Sequence, residues 1–224
     1  MIQDNVKRLL DEIAETAIAA GRNPSDITLV GVTKTVTAEE ARILMEAGVC
    51  TLGENRVQSL LEKYEVLGNE PTWHLIGHLQ TNKVKYIADK VSMIHSVDSF
   101  HLAEEIDRQF GKVGRTADIL LQVNVSGEES KFGVTPDDTF RLAEQVSSLS
   151  HVRIQGLMTM APIMEHSAET RKVFSGLQKL SVDIENKKYD NVYMRHLSMG
   201  MSGDFREAIM EGATLVRIGS ALFV

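Results

Sequence analysis

The chain has 224 residues, of which 43% are hydrophobic and 25% are charged, and this is the composition of an ordinary folded protein, not of a disordered one. Its formal charge of −7 gives no general attraction for nucleic acid or for an anionic membrane surface, so we predict neither as a partner, although a local basic pocket stays open. The single cysteine, Cys50, excludes an intrachain disulfide and a cysteine zinc cluster, and no apolar run reaches the roughly 20 residues of a membrane-spanning helix, so a cytoplasmic protein is expected.

Short β-branched runs alternate with helical patterns along the whole chain. The first 21 residues carry acidic side chains and apolar residues at helical spacing, which predicts an amphipathic helix and not a signal peptide. Eight strands are predicted next, at residues 27–33, 50–54, 73–77, 93–97, 118–125, 153–159, 194–199 and 214–219. Helices are predicted at residues 37–48, 55–68, 79–90, 99–114, 135–149, 167–187 and 202–213, and several begin at Ser or Thr and end at Gly, as capped helices do.

The predicted strands are too apolar to have a face in contact with water, which favours a parallel sheet covered by helices. The simplest fold is an α/β protein with one domain over residues 1–224, a closed (β/α)8 TIM-type barrel with an extra N-terminal helix. The alternative is an open doubly wound sheet, but the chain lacks a G-x-G-x-x-G turn after its first strand. In a barrel, the carboxyl ends of the strands meet on one face, where the chemistry is expected.

Lys34 directly follows the first predicted strand, and a lysine ammonium is costly to remove from water unless it is used. The second strand leads into GENR, which places Glu54 and Asn55 at the barrel mouth. Arg217 lies in the eighth strand: pointing inward it is a fixed cation at the mouth, and pointing outward it pairs with a helix. Burial of Lys34 near that cation would lower the pKa of the lysine and free its amine to attack a carbonyl.

Two loops after the last strands are rich in small residues. In SMGMSGDFREAI, Gly200 to Gly203 lead into a helix, and in RIGSALF, Gly219 and Ser220 offer further backbone amides. Loops after strands seven and eight form the recurrent phosphate site of barrel enzymes, although Ser202 is also a suitable helix cap and Gly219 a suitable turn residue. A lysine opposite a phosphate site predicts either pyridoxal 5′-phosphate or a phosphorylated sugar aldehyde, and spacing alone does not separate the two.

The motifs VTKT, GENR, WHLIGHLQTNK, VNVSGEESKFG, GLMTMAP, HLSMGMSGDFREAI and VRIGSALF occur in this order over essentially the whole chain. Together they resemble the pyridoxal phosphate homeostasis protein family. The resemblance implies a barrel akin to the N-terminal domain of alanine racemase, with pyridoxal 5′-phosphate bound as an imine to Lys34, Asn55 near its ring and Arg217 facing its pyridine nitrogen. It also implies that the phosphate is surrounded by Ser198, Gly200, Ser202, Gly219 and Ser220.

The resemblance further implies a protein of cofactor homeostasis without strong catalytic turnover. The leading hypothesis is a protein, expected to be a monomer, that binds pyridoxal phosphate and releases it or passes it to apoenzymes. The alternative is a weakly active amino-acid racemase, which needs a second acid or base on the opposite face of the cofactor. Alanine racemase takes that group, a tyrosine, from a separate domain, and here the chain ends with the barrel. Tyr64, Tyr86, Tyr189 and Tyr193 are all predicted in helices or beside them. A sugar-phosphate aldolase is a third hypothesis.

Other polar residues receive plainer interpretations. His74 and His78 are four residues apart, but their strand assignment spoils the geometry of a metal pair, so no metal site is predicted. Lys83 and Lys131 are expected to be solvated charges, with binding of a second anion as the alternative. The methionines of LMTMAPIM and SMGMS are expected to pack at the barrel mouth, and Cys50 is expected to be buried.

Overall fold

In the computed structural model of the chain, which describes residues 1–128, 132–162 and 167–224, eight parallel strands close into a barrel in the order β1 to β8. This confirms the predicted TIM-type barrel, and closure is made by the pairing of β1 with β8. The strands are β1 (Thr28–Val32), β2 (Thr51–Glu54), β3 (Thr72–Leu75), β4 (Met93–Val97), β5 (Ala117–Gln122), β6 (Val152–Met158), β7 (Val192–Ser198) and β8 (Leu215–Ile218).

Helices cover the outside of this barrel. They are α1 (Ile2–Ala19), α2 (Ala38–Glu46), α3 (Val57–Leu67), α4 (Phe100–Lys112), α5 (Pro136–Ser147), α6 (Ser167–Glu185), α7 (Phe205–Met210) and α8 (Ser220–Phe223). The helix predicted at residues 79–90 is a 3-10 helix, Thr81–Tyr86, which starts without a side-chain cap and has the tighter geometry of a short connector. The short α8 was not predicted. Within the described residues, no helix has the length and apolar character needed to cross a membrane.

Side-chain caps fix where several helices begin. Thr37, Ser99 and Thr135 each accept a backbone N–H from three residues further on, which satisfies a donor that the first turn leaves unpaired. Cys50, by contrast, is exposed, and the prediction of a buried thiol is wrong. Cys50 comes directly before the first residue of β2, so it lies at the amino-terminal end of that strand.

The extra N-terminal helix completes the outer layer of the barrel. Because α8 has only four residues, the unit that follows β8 cannot cover that strand with a helix of ordinary length. Helix α1 contacts α7, α8 and α2, and so closes the ring between the last helices and the first. Asn5 anchors it by donating its side-chain N–H groups to the carbonyls of Leu222 and Val224, at 3.3 Å and 3.1 Å.

The barrel interior contains an apolar group and a polar group of buried side chains. The apolar group consists of Val30, Met93, Leu120, Met158 and Leu215, which form a cluster separate from the core between sheet and helices. The polar group includes two histidines, a serine and an arginine, from β3, β4, β7 and β8. A polar group buried in this way is costly unless each member is hydrogen-bonded, so its contacts matter for the site above it.

Candidate functional site

A cavity of about 550 Å³ opens at the carboxyl ends of the strands. Its described lining is Val32, Lys34, Thr35, Asn55, Ile76, Gly77, His78, Gln122, Phe132, Met160, Met201, Ser202, Gly203, Arg217, Gly219 and Ser220. The residues of the predicted site that line it are Lys34, Asn55, Ser202, Arg217, Gly219 and Ser220. The structure therefore brings together residues from the first, second, seventh and eighth βα units.

Lys34 lies in the turn after β1, two residues beyond the end of that strand. The preceding residue, Thr33, is fully buried and donates its hydroxyl to Glu54 Oε1 at 2.6 Å, which fixes the end of β1. Lys34 itself is exposed, so the predicted burial of its ammonium is not found. A residue in a turn above the strand ends projects into the open part of the cavity and not into the packed barrel.

Glu54 does not lie at the mouth, contrary to the prediction. Its carboxylate is fully buried and pairs with Lys63 Nζ of α3 at 2.9 Å. Since α3 lies outside the barrel, Glu54 points away from the cavity. Asn55 is the residue of the GENR motif that lines the cavity.

Arg217 points into the barrel. Its guanidinium is buried and donates from Nη1 to Ser198 Oγ at 2.5 Å and from Nη2 to the carbonyl of Thr159 at 3.0 Å. Burial lowers the pKa of Arg217 to about 10, while the carboxyl of Asp204 acts in the opposite direction. The side chain therefore stays cationic at neutral pH, and the question of its orientation is answered: it is a fixed positive charge at the floor of the cavity.

Ser198 and Gly200, both predicted around a phosphate, are not among the described residues of the lining. Ser198 is fully buried below Arg217. Gly200 has φ of +93°, and a Cβ built there would lie 2.6 Å from the Cβ of Ala208. Its carbonyl accepts the backbone N–H of Arg217 at 2.9 Å. The glycine is thus explained by backbone conformation and close packing, which a sequence motif does not distinguish from ligand contact.

The loops after β7 and β8 meet at one edge of the cavity. The hydroxyl of Ser220 donates to Ser202 Oγ at 3.1 Å, which links the two loops. Among the described residues, the backbone N–H groups of Ser202 and Gly203 have no hydrogen-bond partner. Helix α7 begins at Phe205, later than predicted, because Asp204 closes the turn before it by accepting the N–H of Met201 at 2.5 Å.

Beneath the cavity, polar side chains form a continuous hydrogen-bonded chain. Ser198 Oγ lies 2.9 Å from His95 Nδ1, and His95 Nε2 lies 2.9 Å from His74 Nδ1. Burial is the main cause that lowers the pKa of His74 to about 3 and the pKa of His95 well below its usual value. Neighbouring charged groups lower both values further. Both imidazoles are therefore neutral at pH 7. Sequence reasoning missed His95, since a lone histidine in an apolar strand gives no local signal.

Two aromatic rings pack against each other at the mouth. His78 and Phe132 stack with ring centroids 4.7 Å apart and an interplanar angle of 22°. His78 also lines a neighbouring cavity of about 610 Å³, where Lys83 and Asn55 lie. His74 thus lies in the barrel interior, whereas His78 lies at the mouth. Lys131 lies outside the described residues.

The remaining predictions concern methionines and tyrosines. Met160 and Met201 line the cavity, as expected for methionines at the barrel mouth. Tyr193 lies in β7 and not in or beside a helix, but it is near the start of that strand, away from the cavity. None of the four tyrosines belongs to the described lining. Hence no phenol faces Lys34 in this part of the structure.

A family model described as the N-terminal domain of alanine racemase matches residues 10–224. The chain is 44% identical to the pyridoxal phosphate homeostasis protein of Aquifex aeolicus, over 98% of this chain and 96% of that protein. It is 40% identical to the protein of the same name from Pseudomonas aeruginosa, over 99% and 94% of the two chains.

Solved structures agree with these matches. The chain resembles PipY of Synechococcus elongatus, solved with PLP bound, with a TM-score of 0.84 and 37% identity over 95% of this chain and all (100%) of PipY. It resembles an unknown protein from Bifidobacterium adolescentis with a TM-score of 0.95 and 39% identity, over 99% and 94% of the two chains. Alanine racemase of Clostridium difficile shares the fold alone, with 17% identity and a TM-score of 0.78 over 98% of this chain and 56% of that enzyme.

Proposed function

Because the chain belongs to the pyridoxal phosphate homeostasis protein family, we propose that it binds pyridoxal 5′-phosphate in the cavity described above and takes part in cofactor homeostasis without strong catalytic turnover. In this role, the whole chain acts as one binding domain, in which Lys34 holds the cofactor as an imine for storage or for delivery to apoenzymes. The observation that carries the proposal is that Lys34, Arg217 and the two small-residue loops line a single cavity.

The residues present fit the chemical groups of the cofactor. A volume of about 550 Å³ is within the range of small-molecule sites. Lys34 supplies a primary amine, and its condensation with an aldehyde forms one C=N bond and releases one water. The unpartnered N–H groups of Ser202 and Gly203 are donors of the kind that bind phosphate oxygens, and so is the hydroxyl of Ser202, which accepts from Ser220 and keeps its own proton to donate. A Cβ at Gly203 would meet no atom within 4 Å, so this edge is open to a ligand.

When bound, pyridoxal 5′-phosphate supplies an electrophilic aldehyde and an electron-withdrawing ring. Arg217 keeps its own proton at neutral pH, because its pKa remains about 10, so it would hold a ring nitrogen of the bound cofactor by a hydrogen bond without protonating it. That arrangement limits the stabilisation of a carbanion. No tyrosine lies in the described lining to act as a second acid or base, which favours binding over racemisation.

The proposal is tested by trapping the linkage. Wild-type protein incubated with pyridoxal 5′-phosphate and then treated with borohydride should carry one reduced cofactor on the peptide that contains Lys34. Lys34→Ala should lose this adduct and the visible absorbance of the imine, because no other lysine lies in the described lining of the cavity. The matched control is Lys83→Ala, which removes a lysine from the neighbouring cavity and should keep both signals.

An equal adduct yield from wild type and Lys34→Ala would contradict the lysine assignment. The adduct mass also separates the cofactor from a sugar phosphate, which would point to an aldolase. Turnover is tested by incubation with L-alanine and other L-amino acids, followed by chiral chromatography. Steady formation of the D-amino acid that is lost in Lys34→Ala would favour the racemase, and its absence together with transfer of cofactor to an apoenzyme would favour the carrier.

A further inference from the structure

We propose that His95 and His74 are positioning residues: they orient the hydroxyl of Ser198 as an acceptor for Arg217 and so hold the free donors of the guanidinium toward the cavity. The chain of contacts is Arg217 to Ser198 at 2.5 Å, Ser198 to His95 at 2.9 Å and His95 to His74 at 2.9 Å. The consequence for a bound cofactor rests on the proposed function, whereas the orientation of the chain is a property of the protein alone.

The direction of the hydrogen bonds follows from the donors available. Arg217 has only donors, so Ser198 Oγ accepts from it. The single hydroxyl proton of Ser198 then points to His95 Nδ1, which must be unprotonated, and His95 carries its proton on Nε2. That proton is donated to His74 Nδ1, which leaves the proton of neutral His74 on its own Nε2.

The opposite direction is disfavoured on two counts. If His95 donated from Nδ1, the hydroxyl proton of buried Ser198 would have no acceptor among the described residues. An N–H dipole would also be turned toward the cationic Arg217, whereas the lone pair of Nδ1 faces that charge favourably. An unsatisfied hydroxyl in a fully buried position forfeits its solvation without gaining a hydrogen bond, which is enough to select one direction.

The chain crosses the interior of the barrel. Arg217 and Ser198 belong to β8 and β7, and His95 and His74 belong to β4 and β3 on the opposite wall. Two of the five N–H donors of Arg217 are used by Ser198 and by the carbonyl of Thr159, which leaves three donors on a residue that lines the cavity. The histidines thus tie the orientation of a cavity residue to the far side of the barrel.

The first arm of the test uses protein without cofactor. Imidazole nitrogen shifts from two-dimensional NMR should show His95 and His74 as neutral rings protonated on Nε2, and His95 can be assigned by comparison with His95→Gln. A His95 protonated on Nδ1, or doubly protonated at neutral pH, would overturn the proposal whatever the cofactor does.

The second arm compares two substitutions at one position. Glutamine can accept from Ser198 and donate to His74, whereas leucine fills similar space and can do neither. We expect His95→Leu to weaken cofactor binding by about fivefold or more, the effect of one lost hydrogen bond in a buried chain, and to shift the pH midpoint of the imine absorbance. We expect His95→Gln to restore affinity to within about twofold of wild type, a change within the scatter of conservative substitutions.

The outcomes separate this inference from the proposed function. If borohydride still traps cofactor on Lys34 in His95→Leu and both affinity and pH midpoint equal those of wild type, the positioning role is wrong and the function stands. If wild-type protein traps no cofactor at all, the function is wrong, and the NMR arm alone decides the orientation of the chain. A His95→Leu protein that does not fold leaves the same arm decisive.

Discussion

At the scale of single residues, two glycines of the same motif have different roles. Gly200 and Gly203 belong to the same small-residue loop, yet Gly200 is buried in a left-handed conformation against α7, and Gly203 lies at the edge of the cavity. Arg217 is likewise explained only by its contacts, since its guanidinium is fixed by Ser198 and Thr159. The physical environment of each residue, and not its motif, decides whether it supports the fold or faces the ligand.

The two glycines therefore give a matched pair of substitutions. Gly200→Ala should lower the free energy of unfolding by about 1 to 3 kcal/mol, because φ is positive and the new methyl group would meet Ala208. Gly203→Ala should change that free energy by no more than about 0.5 kcal/mol, because its Cβ would meet no atom within 4 Å. Urea denaturation of the protein without cofactor measures both, and equal losses from the two variants would contradict this distinction.

At the scale of elements, α1 is part of the barrel and not an appendage. It contacts α7, α8 and α2, and it covers the region that the four-residue α8 leaves open. Its apolar face buries Val6, Leu9, Ile13 and Ala17, while Leu10 on the adjacent face is exposed. Burial of such a face, more than helix propensity, is what stabilises a surface helix.

Neighbouring leucines in α1 test this role. Leu9 is 1% exposed, and Leu9→Ala should lower the free energy of unfolding by about 2 to 5 kcal/mol through lost burial and a residual cavity. Leu10 is 39% exposed, and Leu10→Ala should change the free energy by no more than about 0.5 kcal/mol. The same denaturation experiment compares them. If Leu9→Ala were as mild as Leu10→Ala, α1 would not be an integral part of the outer layer.

At the scale of the whole molecule, two histidines of the barrel interior make stability depend on pH, because they are neutral in the native protein and titrate in the unfolded chain. Burial lowers the pKa of His74 to about 3 and the pKa of His95 well below its usual value, whereas unfolded histidines have a pKa of about 6.5. Between these values the unfolded chain binds more protons than the native protein. Native stability is therefore greatest above about pH 6.5 and falls as the pH decreases toward about 3.

The expected loss is about 1 kcal/mol for each of these histidines between about pH 7.5 and about pH 5.5. Denaturation midpoints at the two pH values measure it, and this interval lies above the range in which carboxyl groups titrate. Asp98 and Asp204, whose carboxyls have their pKa raised by burial, act in the opposite direction to the histidines. His74→Gln should reduce the dependence on pH, and equal stability of the wild-type protein at both values would contradict the buried neutral pair.

The sequence by itself determined the class of fold, the order of eight strands and the family, because apolar periodicity, turn residues and ordered motifs are local properties. The sequence also predicted six of the residues that line the cavity, since strand ends converge in any parallel barrel. Only the tertiary structure turned Glu54 outward to Lys63, placed Ser198 beneath Arg217 and joined it to His95, which is 103 residues away in the chain. Side-chain direction and burial depend on the closure of the barrel, which no local pattern encodes.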